Sequence, residues 1–484
     1  MLWLASGLAL LAFSAVIVVW ARTRPSYDAY GWLVWGYQTV HGTLDLGGAP
    51  SWKPLPFLFT VPYALFGHAQ IFLWMTTAVA ISLAGAIFAA RIAHRLTLQG
   101  PRGLATDAGE TVSPGRRYGA LIAALFAACA LLGIEDYAHY ILSVQSDPVI
   151  VTCVIAAVDC HLCGRRRWAF WLLWLGSLGR PEAWLWLGLY GLWAWVKVPG
   201  MRWHVVLGAL GQLFFWFGVP TITNGRPLVS AQLAENSPRK LHGNVIFGTL
   251  GRFTELEYLP VWLAALACTA WAVVVRNRLV LALAAGAAGW VVVEVAFSLH
   301  GWPGLPRYMF EAAALCAVLC GVFVGWALSA VSTLWGGLPR WAGVPVVVIL
   351  AVALAPSALS RERTEHKDLK HERGRATDIN MLGPFIAQLG GATHIRSCGN
   401  PAVEVAWVST LAWWLHMDVG FITRHTSDAI SSTRPHIVFQ PSSRGGWVVT
   451  PYHLRHHNAA VCRLLHARFE VMPGHPNGVF ERLS

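Results

Sequence analysis

Charge is scarce in this sequence. Asp, Glu, Lys and Arg make up 12% of its 484 residues, about half the share of an ordinary soluble domain. Phosphate-binding loops are also missing. There is no Walker-type loop, no GxGxxG after a strand and no hydrolase nucleophile elbow, which argues against a nucleotide-driven pump and a nucleotide-binding cytoplasmic enzyme. Zinc-type spacing is absent too, since Cys160 and Cys163 close an apolar run with no second pair. No basic start and no small-residue cleavage site precede Arg22, so residues 1–21 are expected to remain as a first membrane span.

Apolar runs and Trp fill the space that charge leaves. Hydrophobic residues reach 56%, and 26 are Trp, a residue favoured at membrane boundaries. Runs near bilayer-crossing length lie at 1–21, 69–91, 118–134, 148–163, 168–178, 183–196, 203–219, 261–275, 279–299, 312–334 and 343–359. They predict a mainly α, polytopic bundle of about 11 spans over residues 1–360. A small extracytoplasmic α/β domain is expected over 361–484. Its charged run 361–375 predicts a helix leaving the membrane, and 401–416 has helical spacing. Strands are expected at 393–397, 419–423, 436–439, 447–450 and 469–472.

The net charge of +12 belongs mostly to short loops, so anionic membrane lipids are expected partners and nucleic acid is not. Loops 91–118, 164–167, 197–202, 276–278 and 335–341 carry 13 Lys/Arg against Asp107 and Glu110. The alternate loops carry 9 Lys/Arg and 10 Asp/Glu. Cytoplasmic loops concentrate Lys/Arg, so the N-terminus is expected inside and the C-terminal domain outside a bacterial plasma membrane. A Cys398–Cys462 disulfide would suit that oxidising side; two separate buried thiols are the alternative. Residues 168–196 read either as one long kinked span, which would invert everything downstream, or as a hairpin that turns below the membrane surface at Gly179-Arg180-Pro181-Glu182; the charge alternation favours the hairpin.

Ionisable groups at membrane depth or in structured outer loops are costly and so mark function. Asp28, among aromatics in Tyr27-Asp28-Ala29-Tyr30, suits a general base or an acidic helix cap. Residues 31–40 read as an amphipathic interfacial helix, and the Pro-broken 54–67 as a re-entrant or surface segment. Lys53 suits a phosphate contact or a snorkelling lysine. Glu135, Asp136 and Asp147 suit acid/base work or a divalent cation, and plain solvation also accounts for Glu135. Arg180 and Glu182 suit substrate contact or mutual pairing. Arg226, Arg239, Lys240, His242 and Arg252 form a basic cluster suited to a lipid-linked phosphate or to solvation. Arg307 and Tyr308 open a span and suit phosphate binding or interface anchoring; Glu294 and His300 can face the same cavity. A metal at His453, His456 and His457 lacks supporting ligands. Trp407, Trp413, Trp414 and Trp447 suit sugar stacking or a core.

Taken together, the Tyr27-Asp28-Ala29-Tyr30 loop, Lys53-Pro54-Leu55-Pro56, Ser146-Asp147-Pro148, Gly179-Arg180-Pro181-Glu182-Ala183 and Pro306-Arg307-Tyr308 resemble the GT-C superfamily of membrane glycosyltransferases. Its protein-mannosyltransferase-like and mycobacterial arabinofuranosyl- or mannosyltransferase-like members are the most similar in layout. The resemblance implies an inverting transfer from a polyprenyl-phosphate sugar to a glycan, lipid or protein hydroxyl outside the cytoplasm. It also implies Asp28 as base, with Arg307 and Lys53 on the phosphate. Family members often carry two adjacent acids in the first outer loop, whereas Ala29 follows Asp28 here, which leaves Asp45, Glu135 and Asp136 as alternatives. A non-enzymatic transporter or envelope assembly protein is the competing class, but no repeated halves are visible.

Overall fold

The computed structural model describes residues 2–48, 52–102, 113–228, 231, 235, 239–334, 343–442, 446–453, 462, 468–471 and 480–483. Helices α1 (Leu2–Ala21), α2 (Tyr27–Val40), α3 (Pro54–Ala64), α4 (Ala69–Gln99) and α5 (Pro114–Leu132) come first. They are followed by α6 (Tyr137–Leu142), α7 (Ser146–Leu162), α8 (Arg166–Gly179), α9 (Ala183–Lys197) and α10 (Arg202–Leu213). A π-turn at Phe214–Gly218 carries α10 on to Asn224. The membrane part closes with α11 (Val245–Thr254), α12 (Leu259–Val275), α13 (Arg278–Leu299) and α14 (Phe310–Leu334).

Local chemistry sets several boundaries. Ser113 caps α5 by accepting from Arg116 N, with Pro114 at the first helical position. Asn277 caps α13 through Val280 N, and Asn244 caps α11 through Phe247 N. Small residues let the central helices approach closely. A Cβ on Gly321 of α14 would lie 2.5 Å from Ala123 O of α5, and one on Gly325 would lie 2.6 Å from Thr97 Oγ1 of α4.

The eleven apolar runs fall on helices. Among the described residues, six helices are by themselves long and apolar enough to cross a membrane, or seven if α11 and α12, bent by 100°, act as one. Of the other runs, 148–163 and 168–178 make short helices that are largely covered by protein, 183–196 makes a short helix with exposed Leu189 and Leu192, and 343–359 opens a 46-residue helix. Among them, α8 and α9 do form the expected hairpin. Tyr190 of α9 donates to Arg166 O at the start of α8, and Trp184 Nε1 donates to Ser177 O near the turn. Residues 31–40 lack the open polar face expected of an amphipathic helix: α2 is covered by protein on most faces, with Trp32 and Trp35 fully buried. Residues 54–64 form a helix, with Pro54 and Pro56 in its first turn, where proline sacrifices no hydrogen bond, and Pro62 inside it.

Helix α15 (Gly343–Gln388) runs out of the bundle as one 46-residue element. It leads to α16 (Gly391–Cys398), α17 (Val408–Leu415), α18 (Thr426–Ser431) and strands β1 (Asn400–Ala402), β2 (His436–Pro441), β3 (Trp447–Tyr452), β4 (Arg468–Val471) and β5 (Phe480–Leu483). The sheet order is β1-β2-β3-β4-β5, with only β1–β2 parallel. The strands expected near 436, 447 and 469 are present. Residues 393–397 are helical instead, burying Ile395 and Cys398 on one side. Residues 419–423 turn instead, because Gly420 must pass against the Gly47–Gly48 backbone, 3.3 Å from a Cβ built at that position. Residues 401 and 402 pair with β2, so the helix expected from 401 starts at Val408.

Cys398 and Cys462 form a disulfide. Replacing both by Ser is expected to destabilise the domain by about 2–4 kcal/mol. Faster proteolysis within 390–484 under otherwise native conditions would report it; unchanged cleavage would assign the bond no stabilising role.

Candidate functional site

The site forms where four loop-to-helix junctions meet. The start of α2 supplies Asp28, the residue before α3 supplies Lys53, the start of α7 supplies Asp147, and the turn before α14 supplies Arg307 and Tyr308. The α8–α9 turn adds Arg180 and Glu182. Arg180 is in extended backbone at the end of α8, which swings its side chain inward.

These groups form one ion network. Asp147 is fully buried and accepts a short contact from Arg180. Arg307 Nη1 lies 3.9 Å from Asp147 Oδ2, and its Nη2 lies 3.7 Å from Asp28 Oδ2. Arg180 Nη1 reaches Glu182 Oε1 at 3.4 Å, and its guanidinium stacks 3.9 Å from the Tyr308 ring centroid. Lys53 is buried and donates to Ser146 Oγ at 2.9 Å. Burial pushes the Lys53 ammonium down to about 8, against the pull of Asp147. Asp28 is the most open carboxylate of the network, with 17% of its side chain exposed beside the 12% of Arg307.

Several buried polar atoms have no hydrogen-bond partner among the described residues: Asp147 Oδ2, Glu182 Oε2, Arg180 Nε, Arg307 Nε and both carboxyl oxygens of Glu294 and Glu311. Buried polar groups are nearly always paired. A cluster of such atoms around two guanidinium groups, most of them carboxylate oxygens, therefore marks a polar interior with hydrogen-bonding capacity to spare. Glu311 and Tyr140 escaped the sequence reading. Glu311 follows Arg307 by one helical turn and stands at the edge of an apolar run, a position at which an ionisable group is costly. Tyr140, whose ring centroid lies 5.6 Å from Arg307, carried no such signal.

The remaining sequence candidates separate. Arg239 is exposed on the long loop, and its charge acts with that of Arg307 on the Tyr140 phenol, which burial raises. Lys240 lies beside the Gly301 turn. His242 and Arg226 are exposed, and among the described contacts they make none with the network. Arg252 is not a free phosphate contact: it donates to Pro303 O and Gly304 O, fixing the loop that presents Arg307. His300 is exposed, its ring against Ala296 O.

The alternative bases have other work. Glu135 pairs with Arg361 of α15, and Asp45 Oδ1 ties Gly47 N to the Asn224 amide. Asp136 is the left-handed residue before α6, its carboxyl raised by burial and Glu135. Trp407 packs edge-on against Trp447 at 5.0 Å, and Trp413 and Trp447 are buried, so these rings belong to the core rather than to a sugar platform. Trp414 covers Gly383 of α15. His453 contacts Ile430 O, while His456 and His457 lie outside the described residues. No group of three or more His, Cys, Asp or Glu able to hold a metal ion occurs among the described residues.

No family model matches the chain, and no curated protein sequence matches it. Solved structures do. ArnT from Cupriavidus metallidurans bound to undecaprenyl phosphate aligns with a TM-score of 0.51 at 15% identity, covering 99% of this chain and 97% of that one. The same protein in the apo state aligns with a TM-score of 0.51 at 14% identity, covering 91% and 93%. The likeness extends over both the helical bundle and the C-terminal domain, and it gives this chain a GT-C-like membrane fold.

Proposed function

We propose that the chain is an inverting glycosyltransferase that moves a sugar from a polyprenyl-phosphate donor to a hydroxyl acceptor on the extracytoplasmic side of the membrane. The observation that carries this reading is the ion network itself: one partly open carboxylate, Asp28, held 3.7 Å from a buried guanidinium that also faces Asp147. Support for the donor class comes from a protein of the same fold binding undecaprenyl phosphate.

In this scheme Asp28 accepts the acceptor hydroxyl proton. The freed oxygen attacks the anomeric carbon, and the bond from that carbon to the phosphate oxygen breaks. Arg307 and Lys53 neutralise the charge that develops on the leaving phosphate, the place where fixed cations contribute most. Attack opposite the leaving group inverts the anomeric centre. Arg180, held by Asp147 and Glu182 and stacked on Tyr308, keeps the floor of the cavity rigid. Arg239 and Lys240 extend positive charge toward the lipid-phosphate entrance.

Transfer of radiolabelled sugar from a panel of polyprenyl-phosphate sugars by the purified protein tests the reading. Product from one donor is expected; a well-folded protein inert toward every donor would favour transport or envelope assembly.

Lys53 adds a pH signature. Its cation is present below about 8 and lost above it, so donor KM is expected to rise as pH climbs through that value. Lys53→Arg, whose guanidinium stays charged, should flatten that limb. An identical alkaline limb in the variant would exclude Lys53 as its source.

A further inference from the structure

A second polar feature lies at the opposite end of the α8–α9 hairpin, about 20 Å of helix away from Arg180. There a cleft of about 410 Å³ is lined by Gly164–Trp168 on one wall and by Val198, Gly200 and Met201 on the other. Arg165, Arg166 and Arg167 are all exposed along the first wall, and Lys197 and Arg202 flank the second. No Asp or Glu occurs in 160–181 or 183–203. The nearest acid in sequence, Asp159, is buried and already paired with Arg91. Five cations thus surround a concave surface, and among the described residues none of them has an ion-pair partner.

The surroundings fix the kind of guest. Trp168 is 67% exposed and Trp203 is 68% exposed at the two lips, the position that indole rings take at a headgroup boundary. Arg166 lies against the Trp193 ring at 5.6 Å, and Arg202 against Trp195 at 5.7 Å. These contacts hold each guanidinium at the level where the apolar surface of the hairpin ends. We infer that this cleft binds the phosphate headgroup of an anionic phospholipid from the leaflet opposite the proposed catalytic site. The inference is independent of the transfer chemistry, because it uses none of the residues of the ion network.

Native mass spectrometry of the delipidated full-length chain provides the test. Phosphatidylglycerol is expected to be retained about tenfold better than phosphatidylcholine, as the attraction of several adjacent cations for an anionic headgroup requires. R165Q/R166Q/R167Q and, separately, K197Q/R202Q should each lose one tightly held phosphatidylglycerol while keeping the wild-type thermal midpoint. R165K/R166K/R167K, which keeps the charge, should retain it. Equal retention of the two lipids, or wild-type retention in both neutralised variants, would overturn the assignment. Displacement of the lipid by millimolar inorganic phosphate would overturn it as well, marking a site for soluble anions instead.

Discussion

Asp28→Asn is expected to reduce kcat for sugar transfer by about 10²- to 10⁴-fold, the usual contribution of a positioned general base. The substitution keeps the size of the side chain and its place at the start of α2, so donor KM should change little. Asp28 also neutralises part of Arg307. The variant should therefore hold a polyprenyl phosphate at least as tightly as the wild type, because the guanidinium loses a competing anion. A folded variant with unchanged kcat would remove Asp28 from the chemistry. Since Glu135 is committed to Arg361 and Asp45 to a turn, such a result would weaken the base-catalysed scheme as a whole.

The largest effect on stability is expected from Asp147→Asn. This carboxylate is fully enclosed and faces both Arg180 and Arg307. Removing one partner of a buried ion pair leaves an uncompensated charge and costs about 3–5 kcal/mol. Thermal unfolding in detergent should show a clear drop in midpoint, together with loss of transfer. Glu135→Gln is the contrast. Its side chain is 40% exposed at its pair with Arg361, and exposed pairs contribute about 0–1 kcal/mol. If the two variants melted alike, the network would be solvated and the enclosed cavity would be wrong.

Much of this site could be read from the sequence, because a charge among apolar residues has few innocent explanations. Asp28, Lys53, Asp147, Arg180, Glu182, Arg307 and Tyr308 were all singled out, and the structure brings them together. What the sequence concealed was partnership. Nothing in the spacing of Arg252 shows that it spends its hydrogen bonds on Pro303 and Gly304. Likewise, Glu135 looked as free as Asp28 until α15 supplied Arg361. The number of spans is hard to read for a related reason. Runs such as 168–178 are apolar because other helices bury them, not only because lipid does, and hydropathy does not distinguish those two solvents. In the C-terminal domain, single short motifs decided badly. Residues 393–397 and 419–423 have strand-like composition, yet the disulfide at Cys398 and the close passage of Gly420 over Gly48 dictate their shape.

The covering of α2 sets a schedule for the protein's biosynthesis. The segment bearing Asp28 is made almost at once, but its supports come from the far end of the chain. Arg375 holds the Arg24 and Pro25 carbonyls, Asp418 receives Gln38, and Gly420 rests on Gly48. Until residues beyond 420 have been synthesised, the segment bearing Asp28 lacks these supports. On the proposed function, a half-made chain would be unable to carry out transfer until its last quarter arrives.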